Sequence, residues 1–180
     1  SGKILDIGSN DGSMLNSFKK IGLKGVGLEP ASEIAKIANK NGLETLTGYL
    51  NIRTKNKIFK KFGKFNVITA NYVFANISDI NGFISNVYEL LSEKGNFIIQ
   101  TGYHPFQFKI NMFDYIYHEH FSYFSLHTLE NLMAKHNLKL VDVDTNNKKG
   151  GSIRVIFSKD LKAKRKKTKI NRLMSFEEKL

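Results

Sequence analysis

Lys3-Ile4-Leu5-Asp6-Ile7-Gly8-Ser9-Asn10-Asp11-Gly12 is the stretch that decides the fold. A short apolar run bounded by a turn reads as a buried strand. Gly8 lets the chain turn sharply at the strand end, and Gly12 lets backbone approach a ligand and opens a helix. Working outward, residues 13–21 place Met14, Leu15, Phe18 and Ile21 at helical spacing, and Gly22 closes the helix. Residues 25–28 form a second strand, ended by Glu29-Pro30. A helix over 31–40 stops at Asn41-Gly42, and 43–46 is a third strand. A basic helix is expected over 55–62, a fourth strand over 65–70, a helix over 79–91 capped by Ser78, and a fifth strand over 96–100.

Strand and helix alternate throughout, which specifies a parallel sheet with helices on both faces. Residues 101–122 form a long irregular stretch rich in aromatics and His. Loops of that length inside a domain usually carry function. A helix over 126–136 follows, then strands over 138–144 and 152–158, joined by a short connector around Gly150-Gly151. So short a connector cannot make a parallel crossover, so the last strand runs antiparallel to its neighbour. The expected architecture is α/β: a seven-stranded, mostly parallel sheet with an antiparallel last strand.

A chain of 180 residues with 41% apolar composition suits one soluble domain. No run approaches the ~20 apolar residues of a membrane span, and no secretory apolar segment is present, so a cytoplasmic protein with no membrane partner is expected. Ser1, just ahead of the first strand, reads as a cut or a tag remnant. Cysteine is absent, which removes disulfides, thiolate nucleophiles and Cys-based zinc sites from this chain. The net charge is +12, and residues 159–180 hold nine Lys/Arg against three Asp/Glu. The run Lys162-Ala163-Lys164-Arg165-Lys166-Lys167 lacks the interleaved aromatics of a nucleic-acid surface. It is expected to be a solvated linker or helix, so that the domain covers 1–159 and the basic segment 160–180.

Ligands of open parallel sheets bind beyond the carboxyl ends of the strands. A dinucleotide loop would be Gly-x-Gly-x-x-Gly; here Asn10 takes the middle place and Ser13 the last. Asp6 and Asp11 would repel phosphates, while Asp6 suits a methionyl ammonium group. The loop residues Asp6, Gly8, Ser9, Asn10, Asp11 and Gly12 thus suit a ligand without a pyrophosphate. In Gly27-Leu28-Glu29-Pro30, Glu29 ends the second strand, where a carboxylate accepts both ribose hydroxyls; it could also be an exposed acid before a proline turn. Tyr49, with Leu50, is placed to flank an adenine. Ala70, Asn71 and Tyr72, after the fourth strand, are placed beneath a reactive sulfonium and near the methyl acceptor. Together these features point to S-adenosyl-L-methionine as cofactor.

Phe113 to Ser125 carries two His, two acids and three Tyr just past the fifth strand. His suits proton removal near neutral pH. Three uses of the segment stay open: metal binding through His118 and His120 with Glu119, for which no third ligand is evident; an aromatic cluster that packs the loop; and catalysis. His104 precedes Pro105 and is placed to line the loop, while His127 and His136 read as surface residues.

Leu5–Gly12, Gly27-Leu28-Glu29-Pro30, Tyr117-His118-Glu119-His120-Phe121-Ser122-Tyr123 and Gly150-Gly151-Ser152-Ile153-Arg154 occur in that order. The chain resembles the nucleotide-sugar C-methyltransferase family, of Rossmann-like class I methyltransferase fold. The resemblance implies C-methylation of a nucleotide-linked 4-keto deoxysugar: a base removes the proton beside the ketone, and the enolate carbon takes the cofactor's methyl group. It implies His120 as the base, Tyr117 assisting at the sugar and Glu119 orienting the pair, with Gly150-Gly151-Ser152 and Arg154 on the acceptor side. It also implies a middle domain between a zinc-binding module and a C-terminal domain. Three positions depart from the family pattern: Asn76 stands for a His, Lys149 for the His before Gly-Gly-Ser, and Gln100-Thr101-Gly102-Tyr103 for Glu-x-Pro-Tyr. Two further functions remain: methylation of a hydroxyl or amine on another small molecule or RNA, and a non-catalytic cofactor-binding module.

Overall fold

The computed structural model describes residues 2–180. Its seven strands form one sheet in the order β3-β2-β1-β4-β5-β7-β6. They are β1 (Lys3–Ile7), β2 (Lys24–Glu29), β3 (Thr45–Thr47), β4 (Phe65–Asn71), β5 (Leu91–Gly102), β6 (Lys139–Asn146) and β7 (Ser152–Ser158). β7 inserts between β5 and β6 and runs antiparallel to both, and the other pairs are parallel. This is the sheet the short Gly150-Gly151 connector requires.

The central strands read as continuous apolar runs because both faces are covered. Leu5, Ile68, Phe97, Ile99 and Val155 join one large cluster with Ile58 of α3 (Ile52–Phe62), Ile84 and Val87 of α4 (Ile80–Leu90), and Leu129 and Met133 of α6 (Leu126–Ala134). A smaller, separate cluster joins Leu15 of α1 (Ser13–Lys20), Ala38 of α2 (Ser32–Lys40) and Leu43. Gly27 of β2 lets α1 and the first loop come close: a Cβ there would lie 2.4 Å from Ser9 Oγ and 3.0 Å from Leu15 Cδ1.

Several boundaries differ from expectation. α3 starts earlier, at Ile52, because the Asn51 side chain accepts from Arg53 and Thr54 N–H and Thr54 answers in a capping box. α4 is capped by Asp79, which accepts from Gly82 N–H at 2.9 Å, and not by Ser78. β5 runs from Leu91 to Gly102, taking two residues expected in the irregular stretch, because β7 pairs with it out to Gly102↔Ser152. A short helix α5 (His104–Lys109) then follows, with Pro105 in its first turn.

The basic segment packs back on the domain. Lys166 N–H donates to the Val141 carbonyl at 2.8 Å, and α7 (Lys167–Glu177) buries Ile170 completely in the main cluster. Burying such a side chain contributes about 2 kcal/mol. Arg165 pairs with Glu130, Lys166 with Asp142 and Lys169 with Asp144. The exposed Lys169–Asp144 pair contributes at most ~1 kcal/mol, and the other two are partly buried. They do occupy part of the positive charge that a polyanion would need. No helix is long and apolar enough to cross a membrane among the described residues.

Candidate active site

The registers Ile7↔Leu28 and Ile7↔Ala70 bring the carboxyl ends of β1, β2 and β4 to one level. The loop after β1 leaves that edge through three left-handed residues, Gly8 (φ 72°), Asn10 (φ 51°) and Gly12 (φ 84°). Gly8 and Ser9 N–H both donate to the Leu28 carbonyl, at 2.8 and 3.3 Å. Gly8 is required at its place: a Cβ there would lie 2.3 Å from Val73 Cγ1. Glu29 is nearly buried, and its two carboxylate oxygens each accept one backbone N–H at 3.0 Å, from Asn10 and from Ala31. Each oxygen keeps a further lone pair.

Asp6 lies one residue before the end of β1. Its carboxyl is buried and accepts from Thr69 Oγ1 at 2.6 Å. Burial pushes it up to about 6, against the pull of hydrogen bonds from Thr69 and Asn71. No cation pairs with it among the described residues. A buried carboxyl without a cation fits a ligand that brings an ammonium group.

The other loop candidates point elsewhere. The Ser9 hydroxyl turns under the loop and has no partner among the described residues. Asp11 is exposed and accepts from Ser13 N–H and Oγ at 3.0 and 2.7 Å, which holds it below the usual carboxylate range. Ala70 is part of the core, and the Asn71 amide lies 3.1 Å from the Met14 sulfur.

Above this edge opens a cavity of about 1150 Å³, lined by Gly8, Leu28, Pro30, Tyr49 and Val73, and closed on another side by His118, Glu119 and Phe121. Its apolar walls fit a nucleoside, and Asp6 and Glu29, which do not themselves line it, adjoin the lining residues Ile7, Leu28 and Pro30 in sequence. Asn76 also lines it.

The His-Glu-His segment is hung over the turn of 3₁₀ helix at Phe74–Asn76, where Phe121 N–H donates to the Ala75 carbonyl at 2.8 Å. Glu119 faces the cavity. The His120 ring packs against Tyr117, tilted by 38° with centroids 4.1 Å apart, and meets the edge of Tyr123 at 5.6 Å. His120 Nδ1 is buried without a partner among the described residues. His120 and Tyr117 are thus together, while Glu119 points to the cavity with no hydrogen bond to His120. No group of three His, Asp or Glu side chains is arranged to hold a metal among the described residues. His104 Nδ1 pairs with the Tyr115 hydroxyl at 2.8 Å, packing the base of the segment. His127 bonds to Glu177 at 2.7 Å, and Arg154 is exposed on β7.

A further group meets at the same sheet edge. The Tyr72 hydroxyl bonds to Gln100 and Ser152, at 2.9 and 3.0 Å, and the Lys149 ammonium lies over its ring. Tyr72 is expected near the acceptor because it follows the fourth strand, but its partners Gln100, Lys149 and Ser152 are not evident from spacing. The signal was that two of the three departures from the family pattern, at Gln100 and Lys149, flank it.

A sequence profile described as a methyltransferase domain matches residues 1–143. The C-methyltransferase NovU of Streptomyces niveus is 35% identical over 155 residues, covering 86% of this chain and 37% of that protein. The chain thus spans little more than a third of that relative's length. Two solved structures share the fold: a SAM-dependent methyltransferase from Archaeoglobus fulgidus and magnesium protoporphyrin IX methyltransferase from Synechocystis with bound SAH. The first has a TM-score of 0.68 at 12% identity, covering 87% of this chain and 86% of that one. The second has a TM-score of 0.69 at 9% identity, covering 89% and 75%.

Proposed function

The chain belongs to the class I S-adenosylmethionine-dependent methyltransferases, and on that premise we propose that it methylates a carbon of a nucleotide-linked 4-keto deoxysugar. The observation that carries this reading is the His120–Tyr117 pair, in the loop whose residues His118, Glu119 and Phe121 line the cavity beside the cofactor edge. The likeness to a protein named as a C-methyltransferase supports carbon as the acceptor atom.

When bound, the cofactor supplies an electrophilic methyl group. Asp6 would receive its ammonium, Glu29 its ribose hydroxyls, and Leu28, Pro30 and Tyr49 its base. His120 removes the proton from the carbon beside the ketone, and the electron pair of that C–H bond moves to form the enolate. The enolate carbon would then take the methyl group that S-adenosylmethionine supplies, the S–CH3 bond breaking with its electron pair left on sulfur as S-adenosylhomocysteine, and the proton stays on the imidazole until water removes it. Tyr117 holds the imidazole in place by packing against its ring. Glu119, inside the cavity, accepts from sugar hydroxyls.

His120→Ala tests the reading. Methyl transfer should fall at least about 100-fold, and exchange of solvent deuterium into the acceptor should stop with it, while S-adenosylmethionine binds as before. Near-normal deuterium exchange in the variant would remove His120 from the role of base.

A further inference from the structure

Five residues other than glycine hold a left-handed backbone among the described residues, and three are asparagine, which tolerates it. The other two are Tyr72 (φ 56°) and Lys149 (φ 52°). They touch: the Lys149 ammonium stands 4.2 Å from the centroid of the Tyr72 ring. Left-handed backbone at a bulky side chain is strain, which persists where the surroundings enforce it and gathers at functional sites. Tyr72 directly precedes the cavity-lining Val73, and Lys149 sits in the turn between β6 and β7.

The hydroxyl protons around Tyr72 can be ordered in one way only. Ser152 Oγ donates its single proton to the Lys148 carbonyl at 2.8 Å. Gln100 Nε2 donates to the Tyr72 hydroxyl. The Tyr72–Ser152 hydrogen bond is therefore donated by Tyr72. With its proton committed, Tyr72 is a fixed platform and not an acid. Lys149 differs: it is exposed and makes no ion pair among the described residues. A ring face attracts an ammonium without neutralising it, so the charge stays available.

We propose that Lys149, steadied on Tyr72, binds an anionic oxygen of the methyl acceptor. This rests on the methyl-transfer reading above and adds a residue to it. Two oxygens have the required chemistry: the acceptor's ketone oxygen as it gains charge, and a phosphate oxygen carried by the acceptor.

Three variants separate charge from backbone. K149R keeps the charge. K149M removes it. K149G removes it and also relieves the strain, because glycine takes positive φ freely. Each is tested in the protein at its full natural length by steady-state methyl transfer, thermal unfolding and calorimetric titration with a nucleoside diphosphate. K149M and K149G should lose about 10- to 100-fold in kcat/KM, and K149R should lose much less. K149G should melt no lower than the wild type, which excludes unfolding as the cause. A loss confined to kcat assigns the ketone oxygen. A rise in KM with a matching loss of diphosphate affinity assigns the phosphate. K149M with wild-type kcat, KM and diphosphate affinity overturns the proposal. Should the wild type methylate no keto sugar, the sugar reading falls by itself. The titration then decides Lys149 alone, and an unchanged diphosphate affinity in K149M overturns it.

Discussion

Asp6 joins the fold and the chemistry at one atom group. Its place at the end of a buried strand removes water from the carboxyl, and burial raises it from 3.8 to about 6. The folded state therefore holds this proton more tightly than the unfolded chain. The stability contributed is fully present below 3.8 and is lost as pH rises through about 6, a change of ~3 kcal/mol. Without cofactor, the Tm should fall across that window, and Asp6→Asn should flatten the profile. The same variant should weaken S-adenosylmethionine binding at least about tenfold. An Asp6→Asn profile with the same slope as the wild type across the window would contradict the burial argument. Asp6, Gly8 and Glu29 were legible because spacing alone puts them at strand ends. Ser9 and Asp11 were not. The left-handed turn at Asn10 decides where their side chains point, and a loop sequence does not reveal that direction.

At the scale of elements, the alternation of strand and helix was readable, and boundaries shifted where a neighbour intervened. β5 is longer than its apolar run because β7 pairs along its whole end. α7 shows what a charge run can conceal. Ile170, Leu173, Met174 and Glu177 fall at helical spacing within the basic segment, and the helix docks by that face. Glu177 accepts from Leu126 and His127 N–H at 2.6 and 3.1 Å, and from the Tyr103 hydroxyl at 2.7 Å. It thereby caps α6 from another element. Burial acts to raise Glu177, but the hydrogen bonds from Leu126, Tyr103 and His127 outweigh it and hold the carboxyl below its usual 4.5. Its contribution is therefore present above 4.5 and lost as pH falls through the lower folded value. Glu177→Ala should cost about 2 kcal/mol. Urea unfolding at neutral pH checks this, and a change within about 0.5 kcal/mol would show that the cap is not needed.

Across the whole molecule, the strand order does what no local pattern can. It levels the ends of β1, β2 and β4, and it sets β7 beside β5 so that Lys149 and Ser152 reach Tyr72 and Gln100. The cofactor edge was legible because its residues follow strand ends in sequence. The contact of Tyr72 with Gln100, Lys149 and Ser152 was hidden because its members come from separate strands whose adjacency depends on β7 entering between β5 and β6. The most direct test of carbon methylation offers nucleotide-linked 4-keto deoxysugars and a methyl-deuterated S-adenosylmethionine to the protein at its full natural length, with the product resolved by mass spectrometry and NMR. The expected result is a labelled methyl group bonded to the carbon beside the ketone. A label on oxygen or nitrogen, or no label on any keto sugar, would contradict it.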